Sequence, residues 1–106
     1  MSERQYQLKL VKKITKAFPG VFIIINDPRY IQGLPDILVL HKKRWGMLEV
    51  KMAGDSAVQP NQEHYVNLFN QMSFASFINP QNEEAVIHDL QRSLGLERKT
   101  CVSESK

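Results

Sequence analysis

The chain has 106 residues, 42% of them hydrophobic and 24% charged, with a formal net charge of +3. That length suits one domain with a modest core, and the balance excludes wholesale disorder. The longest apolar runs, "VFIII" and "ILVL", fall well short of the roughly 20 residues that a membrane span requires. No membrane partner is therefore expected. The start, "MSERQYQLKLVKK", lacks a signal-peptide core, and the single cysteine, Cys101, leaves no disulfide framework. An intracellular, reducing setting is the expectation. A small positive charge is compatible with a polyanionic partner without requiring one.

Residues 3 to 18 read as an amphipathic helix. At about 100° per residue, Leu10, Val11, Ile14, Ala17 and Phe18 share one side, and Lys9, Lys12, Lys13 and Lys16 the other. Pro19-Gly20 ends it. "VFIII" (21–25) predicts a short buried strand from its length and β-branching, and "NDPRYIQG" (26–33) a loop. Strands follow at 36–40 and 45–52, turning at "HKKR", and then a loop at "AGDS" (53–56). Pro60 suits the first turn of a second helix running to about Met72, with Tyr65, Leu68, Phe69 and Met72 as its buried stripe. "FASFI" (74–78) is a fourth strand, and a last helix runs from about 83 to 94, closed by Gly95. The expectation is an α/β fold in the order α-β-β-β-α-β-α. A mixed four-stranded sheet is flanked by helices, with a right-handed crossover through the second helix. Residues 1–96 form the single domain and 97–106 a frayed tail.

Polar residues then break the pattern. On a strand alternate residues share a face, so Glu49 and Lys51 point one way and Leu48, Val50 and Met52 the other. If "HKKR" closes an antiparallel hairpin, Asp36 at the start of one strand lies beside Glu49 and Lys51 at the end of the next. Two carboxylates so placed repel unless a cation or a shared proton sits between them. A hard divalent ion is one solution, since Mg²⁺ is commonly held by one or two carboxylates and substrate phosphate oxygens. A lysine there can orient or help deprotonate water and neutralise charge on a phosphate. The helices converge on the same spot, because Glu3 and Gln7 fall on the inward side of the first helix and Gln62 on that of the second. Simpler readings compete. An E-x-K pair suits an exposed edge ion pair, "PD" after Gly suits a turn, and Glu3 suits any helix N-terminus.

"GLPD" at 33–36, "MLEVK" at 47–51 and "PNQ" at 60–62 resemble the PD-(D/E)xK nuclease superfamily. More narrowly they resemble the VRR-NUC family, whose stand-alone members are small and often viral or bacterial. The resemblance runs from Glu3 to about Ile78. It implies a restriction-endonuclease-like fold and cleavage of DNA with Mg²⁺ or Mn²⁺, stand-alone members resembling dimeric Holliday-junction resolvases. It also implies Asp36 and Glu49 as metal ligands together with the Val50 carbonyl and Glu3, Lys51 as the catalytic lysine, and Gln62 as the helix glutamine. Gln59 competes for that last role. The sequence departs from the family at Ser73, where a glycine usually follows the second helix, and in a glycine-rich stretch reduced to Gly54.

For DNA contact, the lysine face (Lys9, Lys12, Lys13, Lys16) and the hairpin (Lys42, Lys43, Arg44) are candidates for phosphates. Arg29 and Tyr30 precede Gly33 and lie nearer the expected site. The function expected is a divalent-metal-dependent DNA endonuclease acting on branched DNA as a homodimer. A non-catalytic DNA-binding module that keeps the fold is the alternative. A small interaction domain whose Asp36, Glu49 and Lys51 form only a structural ion-pair network is a third reading.

Overall fold

Helix α1 (Glu3–Ala17) begins at a reciprocal cap: Gln5 N–H donates to Ser2 Oγ at 3.1 Å, and Ser2 N–H donates to Gln5 Oε1 at 2.8 Å. The computed structural model describes residues 1–27, 29–52 and 58–97. The expected tail beyond Glu97, with Cys101, and the "AGDS" loop, with Gly54, lie outside the described residues. After α1 come β1 (Phe22–Ile25), β2 (Ile37–His41), β3 (Arg44–Val50), α2 (Pro60–Met72), β4 (Phe74–Ile78) and α3 (Glu83–Leu94). The order and the mixed sheet are those expected. The sheet runs β1-β2-β3-β4, with β1, β2 and β3 antiparallel and β3 parallel to β4.

The core lies between one face of the sheet and α1 with α3. Leu10, Ile14 and Phe18 of α1 and Ile87, Leu90 and Leu94 of α3 bury Ile37, Val39, Leu48 and Val50. Gly46 lets α3 approach: a Cβ there would stand 2.8 Å from Leu90 Cδ1. Helix α2 packs on β3 and β4, where Phe69 meets Trp45 edge-on at 6.0 Å.

Three expectations need correction. The first strand is not buried: Phe22 is 66% and Ile24 39% exposed. β1 is the sheet edge, and α2 sits over the opposite edge, so one face of β1 has no helix above it. Met72 is 63% exposed, because α2 buries fully only Val66 and leaves Tyr65, Leu68 and Phe69 half-buried. Lys13 does not join the free lysine face. It bonds Glu83 and, at 3.0 Å, Glu84, while Tyr6 Oη donates to Glu83 at 2.7 Å, so it ties α1 to the start of α3.

At the hairpin, His41 Nδ1 lies 3.3 Å from the Leu94 carbonyl and Arg44 Nη1 3.5 Å from that of Ser93. These basic groups face the negative end of α3. Lys42 is six residues past Asp36, about 20 Å along an extended chain. The hairpin is thus at the far end of β2 from Asp36.

Candidate functional site

The segment leading to Asp36 is clipped on two sides. From the end of β1, Asn26 N–H donates to the Asp36 carbonyl at 2.8 Å, and Asn26 Nδ2 donates to the Pro35 carbonyl at 2.7 Å. From α2, Asn61 Nδ2 donates to the Gln32 carbonyl at 3.1 Å and its side chain fills the space beside Gly33. Gly33 has φ +92°, and a Cβ there would come within 2.7 Å of Asn61 Cγ. Sequence reasoning passed over both asparagines, although Asn61 sits inside the quoted "PNQ". Gly33→Ala is expected to cost about 1–3 kcal/mol through backbone strain and the clash. Thermal denaturation should show a drop of several degrees; an unchanged Tm would mean the clip is not needed.

The antiparallel register pairs Ile37 with Leu48, and one residue further it sets Asp36 opposite Glu49. Asp36 Oδ2 accepts the Val50 N–H at 2.9 Å. Glu49 is 3% exposed, and its Oε2 accepts from Gln62 Nε2 at 3.0 Å. Gln62 Oε1 in turn accepts the Gln59 N–H at 3.0 Å. Gln62, not Gln59, is therefore the glutamine that reaches the carboxylate. Asp36 and Val50 also line a cleft of about 300 Å³ with Glu3, Arg4 and Gln7 of α1. Glu3 is exposed and its Oε2 accepts the Met52 N–H at 3.3 Å.

Electrostatics at this point are strained in one direction. Burial pushes the Glu49 carboxyl up to about 8, and the negative charge of Asp36 adds to the rise. Burial likewise raises Asp36, against the pull of the Val50 N–H. The Lys51 ammonium lowers both, so its charge acts on the pair. Two carboxylates so close repel each other, and either a proton or a cation relieves that repulsion.

Other expected residues are dispersed. Among the described residues no three His, Cys, Asp or Glu side chains form a group that could hold a metal ion, so Glu3 does not join the pair as a third ligand here. Lys9, Lys12 and Lys16 are exposed along α1. Arg29 is bonded to Asp27, Nη2 to Oδ2 at 2.9 Å, and Tyr30 is 81% exposed. Lys42, Lys43 and Arg44 are at the distant hairpin. His64 stacks edge-on against Tyr65 at 5.1 Å. The candidate site brings together Asp36, Glu49 and Gln62, with the charge of Lys51 acting on both carboxyls and Glu3 on the cleft that Asp36 lines.

Its donors fit a hard divalent cation. They are oxygen atoms, one oxygen of each carboxylate is fixed by an N–H donor, and burial still raises both carboxyls despite Lys51, a balance that a cation would shift.

No protein-family model matches the sequence, and no curated protein matches it. Among solved structures the chain is similar to Hjc of Archaeoglobus fulgidus, a Holliday junction resolvase from an archaeal hyperthermophile. The two are 17% identical with a TM-score of 0.44, and the match covers 74% of this chain and 66% of that one. No helix among the described residues is long and apolar enough to cross a membrane.

Proposed function

We propose that the protein is a divalent-metal-dependent endonuclease of the PD-(D/E)xK type that hydrolyses phosphodiester bonds of branched DNA as a homodimer. One observation carries this reading above the others. Asp36 and Glu49 stand across from each other at the end of a hairpin, each fixed by an N–H donor, with the charge of Lys51 acting on both.

Asp36, Glu49 and the Val50 carbonyl would hold Mg²⁺ or Mn²⁺, and Glu3 is the candidate further ligand once its bond to Met52 N–H is given up. The ion, when bound, stabilises negative charge developing on the scissile phosphate. Lys51 orients the attacking water and neutralises charge on the phosphate from the protein side. Gln62, from α2, fixes one oxygen of the Glu49 carboxylate and leaves the other for the ion. Exposed Lys9, Lys12 and Lys16 contact the DNA backbone without reading sequence. Arg29 and Tyr30, on the loop that leads into Asp36, contact the strand near the cut. Lys42 and Lys43, far from the cut, contact a more distant part of the duplex. Two copies are required because one small domain covers little of a branched substrate and two symmetric cuts need two sites.

The test is a gel assay of linear duplex, flap and four-way junction with wild type and Lys51→Ala, in Mg²⁺ and in EDTA. Branched substrates are expected to be cut only in Mg²⁺, with Lys51→Ala slower by at least about 100-fold. Binding without cleavage in Mg²⁺ or in Mn²⁺ would favour the non-catalytic DNA-binding module. A strict monomer by light scattering, with and without junction DNA, would remove the dimer.

A further inference from the structure

We infer that Arg4 is a phosphate-binding residue of this cleft and that Gln7 is the residue that positions it. The inference rests on the nuclease reading for its substrate class, a phosphodiester. Arg4 is in the first turn of α1 and lines the cleft beside Asp36 and Val50. Its Nη1 donates to Gln7 Oε1 at 2.8 Å.

Gln7 is the unusual member of this pair. It is 8% exposed on a helix face otherwise made of Tyr6, Leu10 and Ile14, and with Glu49 it is one of the two buried polar or charged side chains described. A leucine would satisfy that face at no polar cost. Gln7 instead directs its amide oxygen to a guanidinium at the cleft wall. Because the amide is neutral, it fixes the direction of Arg4 without cancelling its charge, as a carboxylate partner would.

The position also meets a need of the chemistry. Glu3 and Asp36 line the cleft and Glu49 stands opposite Asp36, so an incoming phosphate needs protein cations as well as a metal ion. Lys51 supplies one from the sheet. Arg4 supplies another from α1, and its planar fork matches two phosphate oxygens in a way that an ammonium does not.

The experiment uses a labelled four-way junction with wild type, Arg4→Ala, Arg4→Lys, Gln7→Leu and the Arg4→Ala/Gln7→Leu double variant. Equilibrium binding is read in EDTA over a salt series, and cleavage kinetics in Mg²⁺. Arg4→Ala should weaken binding about tenfold and reduce the salt slope by about one phosphate contact. Arg4→Lys should recover the slope but not the cleavage rate. Gln7→Leu should keep its Tm, which a purely structural role would lower, and lose cleavage toward the level of Arg4→Ala. The double variant should be no worse than Arg4→Ala alone, as expected when one residue acts through the other.

Wild-type binding and cleavage in Arg4→Ala would overturn the inference and leave the nuclease reading intact. Independent, multiplying effects of the two substitutions would overturn the positioning role of Gln7. If wild type binds but never cleaves and Arg4→Ala still loses the contact, the nuclease reading fails and the phosphate contact stands. If wild type neither binds nor cleaves, both are overturned.

Discussion

Glu49→Gln is expected to abolish cleavage while raising the stability of the metal-free protein at about pH 8. Glu49 is 3% exposed and carries a carboxyl whose ionisation is opposed by burial and by Asp36. A glutamine keeps the shape and keeps an oxygen to accept from Gln62 Nε2, but removes the repulsion. As Glu49 is a proposed metal ligand, its loss should remove several kcal/mol of transition-state stabilisation, about a thousandfold or more in rate. Each kcal/mol of relieved repulsion should raise Tm by about 4–8 °C in a domain of this size. Asp36→Asn should behave alike. Opposite signs for activity and stability mark a site held together for chemistry. A fall in Tm on Asp36→Asn or Glu49→Gln would instead mean that the carboxylates serve a structural ion-pair network.

The second large effect is a linkage between pH, metal and stability. In the folded state Glu49 is raised from 4.5 to about 8, so its stabilising contribution is complete below about 4.5 and is lost as the pH climbs through 8. Asp36 is raised too and adds in the same direction. Glu83 runs the other way: the Lys13 and Tyr6 bonds hold it below the usual carboxylate range, so its contribution is lost as the pH falls. With chelator present, stability should therefore be greatest at mildly acid pH and decline toward pH 8. The slope for one group is at most about 1.4 kcal/mol per pH unit, and with screening from the open cleft the total is about 2–3 kcal/mol. Mg²⁺ or Mn²⁺ should reverse the decline at pH 8, by about 2.7 kcal/mol at a hundredfold excess over its Kd. Near pH 5 protons compete and the ion should do little. Thermal unfolding across pH, with EDTA and with metal, measures this directly. A flat profile that metal leaves unmoved would exclude a shared ionisation at Asp36 and Glu49.

Local periodicity carried the element order, since each helix and strand announces its own repeat. It also carried the Asp36–Glu49 juxtaposition, because an antiparallel hairpin has no freedom to place the two strand ends elsewhere. What it lacked was the lateral order of the sheet. "VFIII" has the composition of a buried strand, and only the positions of β1 at the edge and α2 at the opposite edge expose Phe22 and Ile24. Lys13 reads as one of four solvent lysines until α3 brings Glu83 and Glu84 to it from 70 residues away. The choice between Gln59 and Gln62 turns on side-chain direction in the first turn of α2, where only Gln62 reaches Glu49. Asn26 and Asn61 act through partners in other elements, so no local spacing marks them. Arg4 drew no notice in the sequence, and the cleft it shares with Gln7 exists only once β2 and β3 come beneath α1.

The most direct test is anomalous diffraction from crystals of wild type soaked in Mn²⁺. A single strong peak is expected between the Asp36 and Glu49 carboxylates and within reach of the Val50 carbonyl. No peak there, or Mn²⁺ bound only elsewhere in a protein that still cleaves DNA, would contradict the account.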